Sequence, residues 1–284
     1  MLSYRHAFHA GNHADVLKHL VLVQVLRYFN QKEKPYWVVD THAGAGRYDL
    51  SGAQAAKNAE WREGIGRLWE RSDLPPAVAD YVAQVRTLNL DGRLRHYPGS
   101  PLLTLQLLRA ADRLRLFELH GTDFRFLERA VAGAGKRVAL RQADGFLAIK
   151  SALPPPPRRG ITLMDPAFED KRDYLRVVMA AKEAMHLFPT GTCMVWYPQL
   201  QRGDAHQLPD KLKKLPAADW LHVSLTVHAP TADGFGLHGS GLVILNPPWT
   251  LAGTLQETMP FLVGALGQDA AAGFALETGA RLKP

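Results

Sequence analysis

The chain holds one cysteine, Cys193, in 284 residues. That excludes a disulfide framework and a cysteine-built zinc site, and a lone thiol fits a reducing compartment. No apolar run approaches the ~18 residues that a membrane-spanning helix requires. The opening Met1-Leu2-Ser3-Tyr4-Arg5-His6 lacks the apolar stretch of a signal peptide. A cytoplasmic protein with no membrane partner is expected. No unit repeats at a period of ~20–50 residues. The one low-complexity stretch is Pro154–Pro157, a stiff connector. Phosphate-binding glycine loops are missing too. The first strand-to-helix turn is neither G-x-x-x-x-G-K-[ST] nor G-x-G-x-x-G, which disfavours a P-loop kinase and a dinucleotide enzyme.

What is present reads as a globular chain, 46% hydrophobic and 21% charged, long enough for two domains or for one large α/β domain with an insertion. Lys plus Arg number 34 against 27 Asp plus Glu, a net charge of +7. Such a balance serves solubility, and it also suits a polyanion, whose counterions basic side chains release. Five of the 12 histidines fall within the first 42 residues.

A helix is predicted from Asn12, which can cap it, with Asp15 placed as in a capping box. Its continuation Leu20–Leu26 is apolar nearly all round, as in a buried helix. Tyr36–Asp40 reads as a buried strand running into Thr41-His42-Ala43-Gly44-Ala45-Gly46. Further strands are expected at Leu114–Glu118, Val138–Gln142, Ile161–Asp165 and Cys193–Tyr197. Helices alternate with them near Pro101–Ala110, Thr122–Val131 and Arg172–Leu187, the pattern of a mostly parallel sheet covered on both faces. Leu221–His228 and Gly241–Asn246 are joined too closely for a helical crossover and are expected to form an antiparallel hairpin at the sheet edge. The second strand ends at Glu118, far beyond the ~20 residues that usually separate a nucleotide loop from the next strand-end acid. The excess lies between Tyr48 and His96. There Trp61, Ile65, Leu68 and Trp69, and then Val78, Tyr81, Val82 and Val85, recur at helical spacing. A helical subdomain over 48–96 is expected, inserted into a main domain formed by 1–47 and 97–284.

Three acids stand at successive strand ends. Asp40 opens a loop of small residues that lets a ligand approach the backbone. Glu118 can accept both hydroxyls of a ribose, and Asp144-Gly145 can receive an adenine amino group. Together they favour S-adenosylmethionine, whose sulfonium and ammonium are cationic, over a polyphosphate nucleotide. The fourth strand ends in Asp165-Pro166-Ala167-Phe168, close to the [DN]-P-P-[YFW] tetrapeptide that serves transfer to an exocyclic amino nitrogen. Its acid and a backbone carbonyl accept the amino hydrogens, while the aromatic ring stacks on the base. Asn246-Pro247-Pro248-Trp249 matches the tetrapeptide better, but Asp165 follows the strand just after the Asp144 segment, where the fourth strand of a methyltransferase sheet delivers its motif beside the cofactor, while Asn246 follows the expected edge strand of a terminal hairpin, and position favours Asp165. His6-x2-His9-x3-His13 resembles a metal pattern, but without an acid or cysteine among them no metal is expected. Tyr4, Arg5, His6 and Lys18 offer stacking and phosphate or base contacts of the kind RNA recognition uses; for His13 and His19 the plain alternative is packing on the helix surface.

The opening Met1 to His19, the stretch Asp40-Thr41-His42-Ala43-Gly44-Ala45-Gly46-Arg47-Tyr48, Tyr97-Pro98-Gly99-Ser100-Pro101, and Gly239-Ser240-Gly241 through Asn246-Pro247-Pro248-Trp249 closely resemble the bacterial RlmJ family. The resemblance runs from Met1 to about Pro260. It implies a Rossmann-like class I methyltransferase sheet, to which the spacing adds the terminal antiparallel hairpin, and an S-adenosylmethionine-dependent enzyme that methylates N6 of one adenine in 23S ribosomal RNA; a monomer is expected. By that resemblance His19, His42, Ser100, Glu118, Asp144 and Gly145 would contact the cofactor. Asp165 would contact it and act as catalytic acceptor. Tyr4 would touch the RNA, with His6 and Lys18 near the target base, on which the Phe168 ring of the tetrapeptide is expected to stack. Ser100 also reads locally as an N-cap ahead of Pro101. Ala167 stands where the family has proline, which keeps the carbonyl and loosens the turn. The alternatives are a DNA adenine methyltransferase and a non-enzymatic nucleic-acid-binding protein.

Overall fold

The structure, a computed structural model, describes residues 6–201, 203–232 and 236–280. A short 3-10 turn, His6–Phe8, leads into α1 (His13–Asn30). Asn12 starts α1 because its backbone is extended and its side-chain oxygen accepts the Ala14 and Asp15 N–H groups, each at 3.0 Å. Asp15 does not complete a capping box. Its carboxylate instead takes the Gly11 N–H at 2.9 Å, because the chain before the helix folds back over that side chain. Leu20, Leu22, Val23, Val25 and Leu26 are fully buried, so the all-round apolar run is a helix enclosed by its neighbours.

The chain continues through β1 (Trp37–Asp40), β2 (Arg47–Asp49), α2 (Ala53–Asn58), α3 (Gly66–Trp69), α4 (Pro76–Arg86), β3 (His96–Pro98) and α5 (Ser100–Leu107). Next come β4 (Arg113–Glu118), α6 (Gly121–Val131), β5 (Val138–Gln142), α7 (Gly145–Ala152), β6 (Gly160–Met164) and α8 (Arg172–Leu187). Then follow β7 (Thr192–Gln199), α9 (Gly203–Lys213), β8 (Asp219–Thr226), β9 (Gly239–Leu245), α10 (Leu251–Leu266) and β10 (Gly273–Ala280). Eight strands form one sheet in the order β10-β8-β9-β7-β6-β1-β4-β5. From β5 to β7 every pairing is parallel, and β9 runs antiparallel to both β7 and β8.

The β8–β9 hairpin is antiparallel, as its short connection requires. It does not form the edge, because β10 adds outside it along the whole of β8. The mixed Gly-Phe-Ala-Leu-Glu-Thr-Gly-Ala composition of β10 carries no clear alternation, so pairing with β8 and not local pattern makes it a strand.

Side chains on successive strand positions enter two separate cores. Val38, Leu114, Leu116, Ile161 and Leu163 face α1, α5 and α10, while Val39, Phe117, Met164 and Val195 face α7, α8 and α9. The stretch 48–96 leaves and rejoins through a two-stranded ribbon in which Tyr48 pairs with Tyr97. Its Ile65, Leu68, Tyr81, Val82 and Val85 pack into the same core as Leu17 and Leu20 of α1. Among the described residues, no helix is long and apolar enough to cross a membrane.

Candidate active site

β1 and β6 are neighbours in the sheet, yet the chain leaves β1 toward β4 and leaves β6 toward β7. The order of strands reverses between them, and the crevice beyond the carboxyl ends of such a pair is where open α/β sheets take ligands. Asp40 ends β1, and Asp165 follows the last residue of β6. Four predicted acids thus line one sheet edge in the spatial order Asp144, Glu118, Asp40, Asp165.

Asp40 is 1% exposed. Ser100 Oγ donates to it at 2.7 Å and the His42 N–H at 3.3 Å. Burial pushes its carboxyl up to about 7, against the pull of the Ser100 hydrogen bond. Ser100 is the first residue of α5 and Gly99 the cap, so the expected capping position shifts by one and the hydroxyl goes to Asp40 instead.

The loop after β1 is closed by Ala43 donating to the Phe117 carbonyl at 3.0 Å and Gly44 donating to Glu118 Oε2 at 2.8 Å. Gly44 and Gly46 have φ of +61° and +75°, the left-handed region that favours glycine. The other Glu118 oxygen accepts the His120 N–H at 2.6 Å. One N–H on each oxygen leaves acceptor capacity for a pair of hydroxyls. Burial raises the Glu118 carboxyl above its ordinary range.

Asp144 caps α7 by accepting the Phe146 N–H at 3.0 Å, and its second oxygen pairs with Arg176 of α8. At Gly145 a Cβ would lie 1.8 Å from the Thr41 carbonyl oxygen, so only glycine lets this turn lie against the cofactor loop. His42 sits between the two. Its Nδ1 is 2.7 Å from Thr41 Oγ1 and its ring meets Phe146 edge-on at 4.6 Å. Burial brings its imidazole down to about 4, which leaves it neutral near pH 7.

Asp165 lies opposite the start of α1. Lys18 Nζ donates to its Oδ2 at 2.5 Å and reaches Asp15 Oδ1 at 2.8 Å, while His6 Nε2 is 2.8 Å from Asp15 Oδ2. His6, Lys18 and Asp165 are therefore one linked group. Tyr4 and Arg5 lie outside the described residues.

Three residues sit elsewhere than their expected parts imply. His19 is not on the helix surface, and neither is His13, which is buried too. His19 is buried, bonded through Nδ1 to Tyr97 OH at 2.7 Å, and burial lowers its imidazole to about 3. Phe168 is 2% exposed with φ +54°. Its ring packs inward, 4.7 Å from Tyr174, so no open face is presented to a base. The half-buried ring beside it is Trp196, 6.1 Å away, with Lys18 Nζ 5.7 Å from its centroid.

Sequence reasoning gave Asp15 only a capping part and passed over Arg176 and Trp196. Asp15 and Lys18 share a helix face at i, i+3, a legible signal, whereas Arg176 and Trp196 are brought in only by packing. His6 and His9 turn to separate carboxylates, His9 Nδ1 lying 2.9 Å from Glu60 Oε1. Asn246 stands at the other edge of the sheet, since its strand neighbour Leu245 pairs with Cys193 at the start of β7. There its side chain donates to the Pro189 and Gly191 carbonyls and accepts the Ala218 N–H.

The family model described as "Ribosomal RNA large subunit methyltransferase D, RlmJ" matches residues 33–277. A Haemophilus influenzae protein named ribosomal RNA large subunit methyltransferase J is 43% identical over 278 residues, 98% of each chain. An Escherichia coli protein of the same name is 42% identical over 262 residues, 92% of this chain and 93% of that one. A crystal structure of a Legionella pneumophila protein superposes with a TM-score of 0.89 at 33% identity, covering 97% of this chain and 100% of the other. With the family pattern spanning most of the chain and the strand-end acids gathered at one crevice, the chain belongs to the RlmJ family of ribosomal RNA large subunit methyltransferases.

Proposed function

We propose that this protein transfers the methyl group of S-adenosylmethionine to N6 of a single adenine in 23S ribosomal RNA, acting as a cytoplasmic monomer. The observation that carries the reading is Asp165, placed at the reversal point of the sheet beside Asp40 and held from α1 by Lys18. The names of the two curated relatives support ribosomal RNA as the substrate.

The residues at the crevice suit this cofactor. Glu118 keeps acceptor capacity on both oxygens for ribose hydroxyls. Gly145 removes the side chain that would fill the approach beside Thr41. Acids at successive strand ends favour cationic groups, and Asp40 is joined there to Ser100 and to the His42 N–H. When bound, the cofactor supplies an electrophilic methyl group on a sulfonium.

The protein's own contribution falls on the amino nitrogen. Its lone pair is delocalised into the adenine ring and becomes nucleophilic only as the nitrogen turns tetrahedral. Asp165 accepts an amino hydrogen, and the backbone carbonyl of its turn can accept the other, so both interactions strengthen as positive charge develops. Lys18 fixes the Asp165 carboxylate, and the basic N-terminal segment meets RNA phosphates. Residues 48–96 serve as a helical insertion that braces this segment, through Glu60 on His9 and on Asn12 Nδ2 at 3.0 Å.

Single-turnover methylation of unmodified 23S ribosomal RNA, followed by nucleoside analysis, tests the reading. N6-methyladenosine at one position is the expected product. Label in no RNA nucleoside, or preferential label in adenines of duplex DNA, would overturn it.

A further inference from the structure

Asp15 belongs to α1 and not to the sheet or the loop after β1, yet it is the carboxylate on which the N-terminal half of the site converges. It is 1% exposed. Oδ2 accepts the Gly11 N–H at 2.9 Å and lies 2.8 Å from His6 Nε2, while Oδ1 lies 2.8 Å from Lys18 Nζ. His19 Nε2 comes within 3.9 Å of Oδ1. Lys18 is itself only 4% exposed and bridges from Asp15 to Asp165.

We infer that Asp15 is a positioning residue for methyl transfer, a buried carboxylate that holds the Lys18 ammonium, and through it Asp165, in register with the amino group to be methylated. The inference rests on the proposed function and adds a residue to it.

Two features separate this arrangement from an ordinary structural ion pair. First, Lys18 has two carboxylate partners from distant parts of the chain. If Asp165 were its only partner, the ammonium would be free to follow that carboxylate and to neutralise it. With Asp15 on the other side, the ammonium is tethered to a rigid helix start. Two carboxylates then flank the one ammonium, so Lys18 does not by itself cancel the Asp165 charge that favours positive charge developing on the adenine nitrogen. Second, burial works against the charged forms of both Asp15 and Lys18, yet both stay ionised. The adjoining His6 and Lys18 keep the Asp15 carboxyl well below its usual range, and Asp15 and Asp165 hold the Lys18 amine above its own. A buried pair gives little net stability over apolar residues of the same volume. What this one supplies is a fixed position.

Asp15→Asn tests it, because the amide oxygen can still accept the Gly11 N–H while Asn12 still caps α1. Methylation of 23S ribosomal RNA by the unaltered chain is the control, and its failure would count against the functional reading alone. In Asp15→Asn, kcat should fall about a hundredfold, the loss expected when a reacting group is displaced by an ångström. KM for S-adenosylmethionine and for RNA should stay within about threefold. In a Lys18→Met background the same change should cost less than about threefold, because groups that act as a unit are not additive. The Lys18 Cε chemical-shift titration, which needs no activity, should move down by about one pH unit or more in Asp15→Asn. Near-normal kcat, a loss carried by KM, additive losses in the double variant, or an unmoved Lys18 titration would each overturn the inference.

Discussion

Asp165 and Asn246 stand at opposite edges of the same sheet, although the tetrapeptides they open read almost alike. Asp165 follows the carboxyl end of β6, while Asn246 follows β9 beside the first residues of β7. The Asn246 side chain is consumed by the Pro189, Gly191 and Ala218 backbone groups at a φ of +51°, a conformation asparagine tolerates better than most residues.

Asp165→Ala should abolish methyl transfer in a folded protein, because the lost acceptor acts mainly on the chemical step. Asn246→Ala should lower stability by roughly 2–3 kcal/mol, through three hydrogen bonds worth about 1 kcal/mol each, and keep its activity per folded molecule. Denaturant melts and single-turnover rates on both variants check this. An active Asp165→Ala beside a folded, inactive Asn246→Ala would reverse the two assignments.

Gly145→Ala should be poorly tolerated, because its Cβ would meet the Thr41 carbonyl at 1.8 Å. Forcing the β5–α7 turn away from the cofactor loop should cost about 3 kcal/mol, at the upper end of overpacking effects. Thermal melts and S-adenosylmethionine calorimetry should fall together; unchanged values in both would mean that the turn relaxes freely.

Glu118→Ala should weaken cofactor binding by about 1.5–3 kcal/mol, the range for hydrogen bonds to a charged group. The mutation also frees the Gly44 N–H from its acceptor, so the loop after β1 should exchange its amide protons faster. Calorimetry and hydrogen exchange test the two halves separately.

Asp40 gives the fold a pH dependence of defined sign. Its carboxyl is raised from 3.8 to about 7 by burial, so between those values the folded chain holds a proton that the unfolded chain has released. This group therefore makes stability fall as pH rises from about 4 to about 7, after which the loss is complete. His13 and His42, both lowered to about 4 by burial, work the other way between about 4 and 6.5. Asp40→Asn removes the first effect alone. Compared with the parent, the variant should gain relative stability in urea at pH 7.5 over pH 5; an equal difference at both values would show that Asp40 does not titrate in that window.

Local pattern in the sequence was enough to place α1, α8, β5 and the parallel strands, because each has its own period, cap or apolar run. It also placed Asp40, Glu118, Asp144 and Asp165 at strand ends, and the rule for ligands in α/β sheets brings such ends to one crevice. The family pattern added the identities expected of a methyltransferase. Tertiary structure decided what depends on distance through space. Lys18 meets Asp165 across 147 residues of chain, and Arg176 reaches Asp144 only because α7 and α8 pack together. The turn of Phe168 into the core and the bonding of His19 to Tyr97 depend on neighbours supplied by other elements. β10 becomes a strand only when β8 offers it an edge. Period and capping act between residues a few places apart, whereas burial, ion pairing and edge pairing are set by whichever parts of the chain the completed sheet brings together.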